Sequence, residues 1–428
     1  MGSAVENVET GEEELEIEEF YLSRQPILNR KEELIAYALL FYTHDSESYA
    51  GDALSLTATT VDDADEVGTR RIIRSSQAFM SVNPEVLMGN TIFTLSRQRL
   101  VMEIPGSIEL TDELLNRIAT FTTAGYQFAI ADVTELSPRI DKLMPFAKVI
   151  KINVTDMAED NIAALGKYFK SKHKLLLANG VDTHDKFNIC KKHYFDLFQG
   201  FFFTRPDKNA VQRPSQLTLR SIYLLTMILN GENNFDIVQN IDQDPLLKKM
   251  LLHLLNSPLH GLTRKIDSLD HLLLVLGHRI LKRFLQMVMY AKPDEPSPLL
   301  TLAATRGKMC ELLAESAPSH FQIKPHVAFT IGVMSFADAL LQLDIAKVLA
   351  QIGETDEVCD AMLSHSGDYG ELLELVALYD APQLFDTEKI DQLLDKFELS
   401  TLDFFSLQQQ AFSWGESISE HIATKSRR

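Results

Sequence analysis

The sequence predicts a two-part α/β plus all-α protein, a (β/α) barrel or wound sheet followed by a helical domain. Three observations lead there. At 428 residues the chain is too long for one ordinary core. From Phe20 to Pro206 short apolar runs alternate with amphipathic stretches. From residue 215 to about 412 leucines recur at helical spacing with few strand signals.

Taken in order, residues 1–18 are Glu-rich, lack aromatic residues and bury no core, so a disordered acidic tail is expected. Residues 19–206 form the first domain. Its strand-sized runs are Leu34–Phe41, Ala78–Val82, Leu100–Ile104, Gln127–Ala131, Val149–Val154, Lys174–Leu177 and Gly200–Thr204. Between them Thr111–Ala124 places Leu114, Leu115, Ile118 and Phe121 on one helical face. Residues 207–214 are polar and bounded by Pro206 and Pro214, which predicts a linker. In the helical domain, residues 215–412, one helix starts at Asp244-Pro245 and ends before Asn256-Ser257-Pro258. Ser268 caps a second, Leu269–Leu276, which Gly277 stops. Residues 413–428 are read as a C-terminal tail.

The net charge is −19, of which eight Glu in residues 1–19 carry a large part. An acidic surface repels phosphates, so nucleic-acid binding is excluded. No apolar stretch spans a bilayer and the acidic start is no signal peptide, so a cytoplasmic protein off the membrane is expected. Cys190, Cys310 and Cys359 lack metal or disulfide spacing and are read as reduced thiols.

A series of fragments in the first domain then appears in a fixed order. They are Arg24-Gln25-Pro26-Ile27, Ala36 to Phe41, Val101-Met102-Glu103-Ile104 and Ala129-Ile130-Ala131-Asp132-Val133. Ile150-Lys151-Ile152-Asn153, Ala178 to Thr183, and Gln199-Gly200-Phe201 with Thr204-Arg205-Pro206 follow. Together they resemble the EAL family of cyclic-di-GMP phosphodiesterases, which implies a TIM-like barrel with its site at the C-terminal strand ends. Hydrolysis of a phosphodiester in that family implies two divalent ions held by converging carboxylate and amide oxygens.

Carried over residue by residue, that ligand set is broken. The signature Glu is matched to Tyr37, the first paired aspartate to Ala131, a further Glu to Asn179 and the phosphate-holding Arg to Phe41. Glu103, Asp132, Lys151, Gln199 and Asn83 survive, with Asp182 as a shortened Glu, and Gln25 belongs to the same vestigial pocket. Lys151, Glu103 and Asp132 form either an ion-pair cluster or the remains of a nucleotide site. Tyr37 and Phe41 either plug the pocket or stack on a base. No catalytic residue, metal or cofactor is expected.

Residues 241–290, with Arg306–Leu313 and Val327–Leu340, resemble HDOD domains, helical relatives of metal-dependent hydrolases. Ser335 and Phe336 stand where such a hydrolase has His-Asp, so no metal is expected there either. His44-Asp45 and His184-Asp185 are read as surface pairs, and His253, His260, His271 and His278 as packing or solvated positions. The aromatic stretch Phe404, Phe405, Phe412-Ser413-Trp414 is either a core-capping helix or a partner surface. The resemblance implies a non-catalytic adaptor of cyclic-di-GMP signalling in motility, adhesion or biofilm programmes. Its partners would be signalling proteins bound through the HDOD domain, with a homodimer admitted. The alternatives are a receptor that binds cyclic di-GMP weakly without cleaving it, and a residual phosphodiesterase.

Overall fold

The computed structural model describes residues 21–42, 47–48, 77–89, 91–94, 97–207, 214–256, 268–292, 297–380 and 386–423. The acidic tail, His44-Asp45, His260, the interior of the linker and the last five residues lie outside these.

Nine strands make one sheet: β1 (Tyr21–Asn29), β2 (Leu34–Tyr42), β3 (Glu47–Ser48), β4 (Gln77–Ser81), β5 (Leu100–Pro105), β6 (Gln127–Val133), β7 (Ala147–Asn153), β8 (Leu175–Asn179) and β9 (Leu197–Gln199). Their order is β1-β9-β8-β7-β6-β5-β4-β2-β3, and β1 also pairs with β2, which closes eight of them into a barrel. The pairings from β2 through β4 to β9 are parallel, while β1 runs antiparallel to both its neighbours. The outside is covered by α1 (Pro84–Met88), α2 (Asp112–Thr123), α3 (Pro138–Leu143), α4 (Glu159–Ser171) and α5 (His184–Lys192). Thr111, Ser137 and Thr183 start α2, α3 and α5 by accepting a backbone N–H three residues on.

Strand alternation sorts the side chains into two cores. Leu22, Leu39, Met102, Ile104, Phe128, Ile130, Ile150 and Phe198 face the helices. Ile27, Ala36, Ala38, Phe79, Val101, Ala129, Val149 and Leu177 fill the lumen. The run Gly200–Thr204 is not a strand. The chain turns at Gly200, with φ 146° and a Cα so close to Val181 that a Cβ would sit 2.2 Å from its carbonyl oxygen, and Phe202–Thr204 forms a 3₁₀ turn.

The helical domain comprises α6 (Gln216–Leu229), α7 (Asn234–Asp242), α8 (Pro245–Leu255), α9 (Leu269–Val288), α10 (Pro298–Ser316) and α11 (Pro325–Met334). It continues through α12 (Ala337–Leu341), α13 (Ile345–Ile352), α14 (Asp356–Ser364), α15 (Gly367–Asp380), α16 (Thr387–Lys396) and α17 (Thr401–Ala423). Asp244 and Ser268 cap α8 and α9 as the sequence indicates. Gly277 leaves helical geometry (φ 71°, ψ 178°), yet the helix resumes beyond it to Val288. The expected boundary at residue 412 falls inside α17, so residues 413–423 are helix rather than tail. Ala411, Phe412, Ile418 and Ile422 are buried there, and an apolar stripe at helical spacing carries the helix onward.

Helices α10 and α11 cross at Gly307 and Gly332, where a Cβ on Gly332 would meet the Arg306 carbonyl oxygen at 2.7 Å and the Gly307 Cα at 2.8 Å. Both obstacles are backbone, so the helices must separate to admit a methyl group. Gly332→Ala is expected to lower unfolding free energy by about 1–3 kcal/mol. Urea unfolding checks this, and an unchanged midpoint would show that the crossing spreads freely.

Candidate functional site

The lumen end of the barrel is built from residues at the C-terminal ends of the parallel strands. Glu103 on β5 and Lys151 on β7 point inward, since their register neighbours Val101 and Val149 line the lumen. The Lys151 ammonium donates to both Glu103 carboxylate oxygens at 2.8 Å, with the residues 4% and 2% exposed. Ser81 Oγ donates to the same carboxylate at 3.4 Å. Gln199 Nε2 donates to Gln25 Oε1 at 2.7 Å, both side chains being buried.

The remaining residues named from the sequence divide sharply. Tyr37 does not face the lumen. Its ring lies 5.1 Å from that of Phe412 on α17, edge to face, on the outer side of β2. The lumen-facing residues of β2 are Ala36 and Ala38, and Ala38 pairs with Gln25. A shift of one residue along a strand moves a side chain to the other face, so beside the outward Tyr37 the lumen-facing place on β2 is held by Ala38, which has no ligand atom. Burial raises the Tyr37 hydroxyl well above the usual tyrosine range, and Glu416 adds to the effect. The Phe41 side chain lies outside the described residues.

Ala131 is buried, in register with Pro105. Asp132 is exposed rather than in the ion-pair cluster, because the strand is irregular there and its φ is 53°. Asn83 Oδ1 accepts the Val86 N–H at 2.9 Å and caps α1. Asp182 Oδ1 accepts the Phe201 N–H at 3.1 Å and fixes the turn after β9. Asn179 ends β8, half-buried.

These residues do not fit a pair of divalent cations. Hard cations need several converging oxygens, carboxylates above all. Glu103 is bound by an ammonium that would repel an incoming ion, Ala38 and Ala131 have no donor atom, and Asn179 is neutral. Among the described residues no group of three or more His, Cys, Asp or Glu is placed to hold a metal.

In the helical domain Ser335 follows the last turn of α11. Its Oγ donates to the Gly332 carbonyl at 2.8 Å and accepts from Arg306 Nη1 at 3.0 Å. Arg306 Nε also donates to Asp380 Oδ2 at 2.9 Å, and its guanidinium lies 3.9 Å from the Phe336 ring centre. A cation of the protein itself therefore sits against Ser335 and Phe336. Burial pushes the Asp380 carboxyl above its usual range, and Arg306 pulls the other way. His184 starts α5, and its Nε2 donates to the Arg205 carbonyl at 3.1 Å. His253 stacks on His421 at 4.5 Å, and His278 pairs with Asn234. Cys190 and Cys310 are buried, Cys359 half-buried.

One group of residues that sequence reasoning missed joins the two domains. Arg24 on the outer side of β1 lies 4.3 Å from the Phe412 ring centre and donates to Gln409 Oε1 at 2.8 Å. Gln408 Nε2 donates to the Leu22 carbonyl at 2.9 Å, and Phe405 packs on the outer barrel core. Phe412 is thus held between Arg24 and Tyr37, contacts that contribute about 1–2 kcal/mol each in a dry setting. Burial lowers the Arg24 guanidinium to about 10, against the raising influence of Glu416. The signal in the sequence is an Arg in a strand-sized segment together with an aromatic stretch at helical spacing near residue 412.

No family model matches the chain. It is 26% identical over 391 residues to the uncharacterized protein YuxH of Bacillus subtilis, covering 88% of this chain and 95% of that protein. It is 27% identical over 410 residues to a Vibrio cholerae protein named cyclic di-GMP phosphodiesterase CdgJ, covering 94% of each. Among solved structures it is similar to the FimX EAL domain, at 16% identity and a TM-score of 0.35, over 44% of this chain and 91% of that one. An EAL domain protein from Listeria monocytogenes matches at 14% identity and a TM-score of 0.34, over 43% and 87%. The chain thus combines a closed eight-stranded barrel with a helical second half, and it is similar almost end to end to YuxH and to the protein named CdgJ.

Proposed function

We propose that this protein is a non-catalytic adaptor in cyclic-di-GMP signalling, its helical half serving as an HDOD-type module that binds signalling proteins. The observation that carries this reading is the Lys151 ammonium seated on Glu103, in a barrel where Ala38 and Ala131 offer no ligand atom. Hydrolysis of a phosphodiester at neutral pH through two metals needs carboxylates free to hold them. In the helical domain Arg306 takes the corresponding role of filler against Ser335 and Phe336. The phosphodiesterase named among the relatives makes the test direct. Purified protein incubated with cyclic di-GMP and Mn²⁺ or Mg²⁺ is expected to yield no linear dinucleotide by chromatography. Product that disappears in Glu103→Ala would sink the adaptor reading in favour of an enzyme.

A second reading, a receptor that binds the nucleotide intact, is favoured by Gln199, whose Oε1 is buried with no protein partner among the described residues. Calorimetry with cyclic di-GMP separates the two. Heat of binding that is lost in Gln199→Ala supports the receptor, and absence of heat supports the adaptor alone.

A further inference from the structure

We propose that the seam between barrel and helical domain is a reversible latch, shut by Phe412 between Arg24 and Tyr37, that opens while both domains stay folded. Where an ordinary parallel barrel would cover its wall with its own helix, β1 and β2 are joined by a short turn, and among the described residues no barrel helix lies on the hairpin. Helix α17 of the other domain lies there instead. It stays with its own domain. Gly415 is seated so close to α10 that a Cβ would meet Thr305 Oγ1 at 2.1 Å, and Phe404 packs 4.5 Å from Tyr379. The weak plane is therefore between α17 and the barrel wall, not between α17 and α10.

The chemistry of that plane is unlike the two cores it separates. Arg24 Nε, Gln408 Oε1 and Gln409 Nε2 are buried there with no protein partner among the described residues. Opening returns these groups to bulk water, which favours the open form to the same degree that burying them costs the closed one. A cavity of about 40 Å³ lies in the seam, lined by Arg24, Tyr37, Thr305, Arg306, Ala411 and Phe412, so the two surfaces interlock incompletely. Relative motion of two domains of one chain is the default unless their interface is large and hydrophobic. At the far edge Asp207 supplies a pivot. Its N–H donates to Gln342 at the C-terminal end of α12, and its carboxylate lies 3.8 Å from His184 of α5.

The strands that carry the latch also line the lumen. On β1, Gln25 faces inward and Arg24 outward. On β2, Ala38 faces inward and Tyr37 outward. Opening of the latch is thus tied to the lumen through two strands, and its value as a regulator of partner binding rests on the adaptor reading above. The opening itself does not.

The protein contains its own controls, because Cys190 in the barrel core and Cys310 in the helical core are both fully buried and have thiols pushed up to about 12 by burial. Ala411→Cys adds a thiol of similar size on the seam, where the native side chain is fully buried. Labelling of the full chain with iodoacetamide, followed by mass spectrometry, reads all three. The seam thiol is expected to react at least tenfold faster than Cys190 and Cys310, and a further tenfold faster when Phe412→Ala is added, with both core thiols unchanged. Reaction of the seam thiol in step with Cys310 would overturn the latch, as would equal acceleration of all three. The assay uses neither nucleotide nor partner, so its failure leaves the adaptor reading standing.

Discussion

Lys151→Met is expected to lower the unfolding free energy by about 3–5 kcal/mol, because it leaves the Glu103 carboxylate buried without its counter-charge. The ammonium spans both carboxylate oxygens, and the only other side chain bonded to this carboxylate among the described residues is Ser81, at 3.4 Å. Methionine is of similar length, so little of the loss comes from a void. Adding Glu103→Leu to Lys151→Met should restore most of it, since the lumen around the pair is lined by Val101, Ala129 and Val149. Urea unfolding of the single and double variants measures both effects. A small loss in the single variant would mean that water reaches the pair, and the lumen would then be open enough for a ligand.

Arg306→Met is expected to cost about 2–4 kcal/mol at neutral pH, by stranding Asp380 and freeing Ser335 and the Phe336 ring face. This loss depends on pH in a determined direction. Burial already raises the Asp380 carboxyl in the folded protein, and Arg306 opposes that. Without Arg306 the folded value rises further above the unfolded one. A carboxyl raised in the folded state adds stability below its unfolded value, near pH 4, and loses it as pH climbs through the folded value. The gap between variant and native protein should therefore be widest at pH 7 and narrow toward pH 4.5. Thermal unfolding at the two pH values checks the sign, and a gap that widens in acid would show that Asp380 is not the group left exposed.

The barrel was legible because buried parallel strands read as continuous apolar runs, and all but the last run fall on strands within a residue or two. The same continuity hid which way β2 faces. In Ala36-Tyr37-Ala38-Leu39 every residue is apolar or aromatic, so no inside–outside alternation marks the lumen, and the large Tyr37 looked like a replacement for a ligand. Its neighbour Ala38 is the residue that faces the lumen. Asp132 was misjudged for a different reason: the backbone turns left-handed there, a feature spacing does not encode. Arg24 and Phe412 were missed as a pair because their contact joins segments at opposite ends of the chain. Local periodicity showed that the C-terminal aromatic stretch was helical but not what it covers, and it placed the end of the helical domain eleven residues early.

The bond from Arg24 to Gln409 closes a loop of 385 residues. During synthesis β1 and β2 leave the ribosome well before α17, so the contacts that α17 makes with their outer wall wait until the whole helical half has been translated. The nascent barrel must persist, or be shielded by a chaperone, for the time it takes to make the whole helical half. A messenger truncated shortly before the codons for α17 would release a protein whose first hairpin is still uncovered.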